Sequence, residues 1–178
     1  MRIWWQTGAP IRLGIDDGSF MGGVGALGDL DGFFDGNVIW LNAQVFEYPD
    51  WRENCDWLLE HEILHAKIDA LRFARPNWLG LRRWAIIDRA MGEAWLLAQD
   101  RPDLQELAGL LDRYEIEGFD VGEEALVRVI QMLYAGSSLP MPAAIRRAAR
   151  LLSKPRGADP RSLLGVLGSL PWAAWTVS

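Results

Sequence analysis

Both histidines of this 178-residue chain stand four residues apart, at His61 and His65, with Glu62 beside the first of them. Two histidines placed at random would land at that spacing in roughly one chain in a hundred. A separation of four puts two side chains on one face of an α-helix, one turn apart, whereas a strand would hold them far from each other. The segment His61-Glu62-Ile63-Leu64-His65 therefore points to a helix if the two rings act together. Its flanks agree. Asp50 can cap a helix start, and Glu53 three residues on fits a capping box. Trp57, Leu58, Ile68 and Leu71 carry the helical pattern, and Arg75-Pro76 closes it, because a residue before proline disfavours the α region.

Two imidazoles one turn apart can hold one zinc ion at ~2.0–2.1 Å each. The carboxylate of Glu62, inside the same turn, is then placed to take a proton from a water at the metal and pass it to a leaving amine. A catalytic zinc needs a third protein ligand and an open fourth position. No further histidine exists, and Cys55 lies nearly two turns before His61 on the same helix. The third ligand is expected to be a carboxylate downstream: Glu123, Glu93 or Glu124. On a helix over 122–134 the apolar stripe is Leu126, Val127, Val129, Ile130, Leu133 and Tyr134. At ~100° per residue Glu123 falls on that stripe and Glu124 about a quarter turn away. A carboxylate on a core-facing stripe is costly unless paired, and a metal ion would pair it. Glu123 is thus favoured. Glu93, nearly opposite the stripe of its own helix, is the main rival. Asp69, one turn past His65, could accept that ring's second N–H and fix its tautomer.

His61-Glu62-Ile63-Leu64-His65-Ala66 followed by Asp69 resembles the zinc helix of the zincin metallopeptidases. Glu123-Glu124-Ala125-Leu126-Val127-Arg128 is similar to the glutamate helix of small gluzincin-like peptidases, many of them carried by phages and mobile elements. The resemblance covers roughly residues 30–135. It implies an α+β zincin-like fold, with a short β-sheet ahead of the zinc helix. It further implies a zinc ion, Glu62 as general base, and hydrolysis of a peptide bond in a substrate strand lying antiparallel to an edge strand. The chain departs from the smallest members in the long gap before Glu123, where an extra helical hairpin fits at about 79–113. It also has no further histidine to stabilise an oxyanion, a role left to Tyr114 or an arginine.

The remaining sequence suits one domain over 1–178: a β-rich part over 1–45, a helical metal-site part over 50–135, and a basic helix with an apolar tail over 140–178. Arg2–Trp5, Ile11–Ile15 and Val38–Leu41 read as strands, with Asp35-Gly36-Asn37 as a turn and Phe33-Phe34 as a hairpin arm. Helices are expected over 79–99, 102–113, 122–134 and 143–152. Gly23–Gly28 matches a dinucleotide loop, but turn residues follow it where a helix is needed. Asp29, Asp31 and Asp35 are spaced like a calcium loop, yet Trp40 stands where such a loop needs its bidentate Glu. The net charge of −6 argues against a whole-domain nucleic-acid binder. That sum hides a basic stretch from Pro140 onward, read as a solvated face. A single cysteine excludes a disulfide framework. The start lacks a secretory pattern, and the apolar run 163–177 is interrupted by Gly165, Gly168 and Pro171, so a cytoplasmic protein without a membrane span is expected. The expected partners are a peptide or protein substrate, and a second copy or another protein on tryptophan-rich surfaces such as Trp4, Trp5, Trp172 and Trp175.

Overall fold

A computed structural model describes residues 12–16, 31–36, 38–73, 78–116 and 118–152. Among these, three strands form one sheet: β1 (Arg12–Asp16), β2 (Gly32–Phe34) and β3 (Val38–Asn42). The central β3 pairs parallel to β1, with Ile15 opposite Leu41, and antiparallel to β2, with Phe33 opposite Trp40. The β2–β3 hairpin is the one that Phe33-Phe34 and Asp35-Gly36-Asn37 anticipate. Gly36 takes φ 97°, a conformation that costs a glycine little. The Asp35 carboxylate accepts from the backbone N–H of Val38 at 2.7 Å and from Trp40 Nε1 at 2.9 Å, so it builds the turn. Opposite Trp40 on β1, a Cβ on Gly14 would lie 2.5 Å from the indole; only glycine lets the ring lie across the strand.

Side chains alternate along β3 with the two-residue period of a strand. Ile39 and Leu41 are fully buried, while Val38 and Trp40 are half-buried. The buried pair packs against Val45 and against Cys55, Leu58, Leu59, Ile63 and Ala66 of α1 (Trp51–Phe73). At the head of α1 the backbone carbonyl of Asp50 accepts from the N–H groups of Glu53 and Asn54, at 3.0 and 3.2 Å. From His61 to Ile68 every residue is buried except His65, which is half-buried. That stretch is enclosed on nearly its whole circumference, although it includes His61, Glu62, His65 and Lys67.

The chain divides into two compact units, with the change at Ala66–Lys67 inside α1. The second unit contains α2 (Trp78–Asp100), a 3-10 turn (Pro102–Leu104), α3 (Gln105–Ile116), α4 (Val121–Tyr134) and α5 (Ala143–Leu152). Helix α2 packs on both α4 and α5. Its Ala90, Ala94 and Ala98, one turn apart, are fully buried, as are Leu126 and Ile130 of α4 and Ile145 of α5. Gly118 and Gly136, both at φ 84°, follow the ends of α3 and α4 and let the last carbonyls be satisfied. The buried Lys67 ammonium donates to the carbonyl of Leu152 at 2.8 Å, capping the end of α5.

The expected class, a small N-terminal sheet followed by a mostly helical remainder, is the one observed. The third helix differs in detail. Pro102 opens it as a 3-10 turn, and its α-helical part runs on to Ile116. Arg146, Arg147 and Arg150 are exposed on α5, away from its buried Ala144, Ile145, Ala148 and Ala149. No helix among the described residues is long and apolar enough to cross a membrane. The Arg2–Trp5 strand, the Gly23–Gly28 motif and the apolar run 163–177 with Trp172 and Trp175 lie outside the described residues.

Candidate metal centre

Helix α1 supplies the nitrogen donors. Nε2 of His61 and Nε2 of His65 are 3.2 Å apart, with the rings edge to face at 63° and 4.8 Å between centroids. Two tetrahedral zinc ligands at ~2.0–2.1 Å from the ion stand about 3.3 Å from each other, so the observed separation fits a pair that converges on one ion. Without an ion the same distance is a hydrogen bond, one Nε2–H donating to the other ring. Trp57, one turn upstream, stacks on His61 at 5.7 Å and 27°. His61 is 5% exposed and Glu62 4%, whereas surface histidine and glutamate would be left in water.

Helix α4 carries the two adjacent glutamates, both buried. The Asp120 carboxylate caps the helix by accepting from the Glu123 N–H at 3.1 Å. Glu123 Oε2 accepts from Arg72 Nη2 at 2.5 Å. The same guanidinium lies 3.5 Å from Asp120 and 3.9 Å from Asp69, and sits over the Trp84 ring at 5.2 Å. Burial pushes the Asp69 carboxyl above its ordinary value, Arg72 pulls it down, and Glu123 raises it again. Glu124 Oε1 accepts instead from Arg128 Nε, one turn along α4, at 2.7 Å. Glu93 accepts from the exposed Arg89 at 2.8 Å on α2.

Among the described residues one group of three could hold a metal ion: His61, His65 and Glu124, whose ligand atoms all lie within 4.8 Å of one another. Two imidazole nitrogens and one carboxylate oxygen are a donor set that suits zinc and leaves one position open. Of the three carboxylates expected from the sequence, that group includes Glu124 and not Glu123 or Glu93. The structure places Glu123 against Arg72 and Glu93 against Arg89.

The two arginines were not singled out by sequence. For Arg128 a signal existed, since Glu124 and Arg128 have the four-residue spacing of a helical ion pair. For Arg72 there was none, because its partner Glu123 is on a different helix, far along the chain. The chain matches no protein-family model, no curated protein and no solved structure.

Proposed function

We propose that this protein is a zinc-dependent metallopeptidase in which His61, His65 and Glu124 hold the ion and Glu62 is the general base. The observation that carries the reading is the burial of His61 and Glu62 on α1, with the two imidazole nitrogens 3.2 Å apart. Buried polar groups at this density need a common purpose or a partner each. When bound, zinc would acidify a water and polarise a peptide carbonyl. The two histidines contribute neutral nitrogen donors, and Glu124 adds one negative charge. The Glu62 carboxylate would serve there as the group that holds and returns a proton.

The second reading is a zinc site without turnover, as in an interaction or structural protein of a phage or mobile element. It draws on Glu62 being only 4% exposed, since a general base must reach substrate. One experiment separates the two. Metal content of the purified chain is measured first, then peptidase activity of wild type and Glu62→Gln on a mixed peptide library. Activity lost in Glu62→Gln with zinc retained supports the peptidase. Zinc retained with no wild-type turnover supports the second reading, and a chain that takes up no zinc excludes both.

A further inference from the structure

We propose that the corner where α1 ends and α2 begins is a docking surface for a membrane whose lipids carry negative charge. The proposal is independent of the metal centre. Phe73, Trp78, Leu79 and Leu81 are 75%, 67%, 47% and 56% exposed. Single apolar side chains scattered over a surface are ordinary, but four from one short stretch form a patch. Arg72 lies over the Trp84 ring at 5.2 Å, which ties the last turn of α1 to α2 and puts Phe73 at the same corner. On α2, Trp78, Leu81, Arg82 and Ala85 have the spacing of one helix face, and all four are exposed. Gly80, Ile87 and Met91 mark the buried face opposite. The outer face of a helix in water is normally polar, whereas this one carries an indole and a leucine between arginines.

The charge around the patch has one sign. From 70 to 87 the sequence contains Arg72, Arg75, Arg82 and Arg83 and no acidic residue, in a chain of net charge −6. Arg72, Arg89, Arg101 and Arg128 each meet a carboxylate. Arg82 and Arg83 are exposed and form no salt bridge among the described residues; Arg82 lies over the Trp78 ring at 5.2 Å. Helix α5, which packs on α2, exposes Arg146, Arg147 and Arg150 and has no acidic residue of its own. Tryptophan and leucine gain by entering the acyl boundary, and arginine gains by meeting lipid phosphate. An anionic bilayer surface satisfies both at once. Helix α2 would lie on that surface and not cross it, because Arg82, Arg83, Asp88 and Arg89 leave it too polar to span. A second copy fits the patch less well, since a two-fold contact would turn Arg82 and Arg83 toward their own copies.

The test is co-sedimentation of the full chain with vesicles of phosphatidylcholine alone or mixed with phosphatidylserine, at low and high salt. Wild type is compared with two paired variants, Trp78→Ser with Leu81→Ser and Arg82→Gln with Arg83→Gln. Ile116→Ser is the control, an apolar side chain 86% exposed at the end of α3. Wild type should bind the mixed vesicles, bind phosphatidylcholine alone far more weakly, and lose affinity in high salt. The arginine pair should weaken binding by about 10–30-fold. The apolar pair should weaken it by about 10–100-fold, and the control should leave it unchanged. Circular dichroism checks that each variant is folded; should the apolar pair unfold, the arginine pair and the salt dependence decide. The proposal is overturned if wild type does not bind the mixed vesicles or binds both kinds equally. It is also overturned if folded variants of both pairs bind like wild type, which would put the contact elsewhere in the chain. Self-association that the apolar pair abolishes, with no vesicle binding, would give the face to a second copy instead.

Discussion

Adjacent residues of one type can have unlike fates, and Glu123 and Glu124 show how far. Glu123→Gln removes the charged partner of Arg72 at a buried carboxylate and is expected to destabilise the fold by about 1–3 kcal/mol, read by urea unfolding. Zinc affinity should stay close to wild type in that variant. Glu124→Gln should do the reverse, lowering zinc affinity more than stability. Equal zinc affinity in the two variants would contradict the proposed ligand set. Cys55 illustrates a different residue-scale effect. It is fully buried, and burial first, then the charges of Asp56 and Asp31, push its thiol up to about 12. It should resist a thiol reagent in the native protein and react at once in denaturant. Asp56 has one carboxylate oxygen buried with no hydrogen-bond partner among the described residues, and burial raises its pKa. A carboxyl raised by folding favours the fold in its neutral form. Its stability contribution is full below the ordinary value of 3.8 and is lost as pH rises through the raised one. Asp56→Asn should therefore stabilise the protein by a few tenths of a kcal/mol at neutral pH, discounted for partial exposure, and the gain should fade as pH falls into the carboxylate range.

At the scale of elements, α1 departs most from an ordinary amphipathic helix. Its first half has one face on the sheet, through Cys55, Leu58, Leu59 and Ile63. Its middle is buried nearly all round, so hydrophobic periodicity alone could not mark which side holds the chemistry. The four-residue spacing of the histidines could, because it needs only the helical repeat. In α4 the start is set by Asp120, whose carboxylate satisfies the Glu123 N–H. Asp120→Ala should cost about 1 kcal/mol of stability, and the same substitution loosens a second contact of Arg72. The sheet has a comparable weak point at Gly14. An added methyl there meets the Trp40 ring at 2.5 Å, so Gly14→Ala should destabilise by about 1–3 kcal/mol in thermal unfolding.

For the whole molecule, the expected consequence of a metal centre is linkage between ion binding and unfolding. A ligand present at a hundred times its dissociation constant stabilises by about 2.7 kcal/mol, which for a chain of this size is roughly 5–10 °C in midpoint. Zinc should raise the melting temperature of wild type by that order, and His61→Ala should abolish the shift. The charge pattern is also a property of the whole chain. A net −6 coexists with the exposed arginines of α5, so the net value says little about any one face.

By itself the sequence determined what depends on local geometry. The helical repeat joined His61 to His65, the Asp35-Gly36 turn fixed the β2–β3 hairpin, and glycine after Tyr134 stopped α4 where Gly136 now takes φ 84°. Each of these follows from a few consecutive residues, whose spacing is set by bond geometry. Only the tertiary structure decided that Glu123 is the glutamate held by Arg72. Glu123 and Glu124 differ by one position on a helix whose buried arc takes in both. Glu124 meets Arg128 at the four-residue helical spacing, which the sequence encodes, but Glu123 meets Arg72 from a different helix, and no local period encodes that.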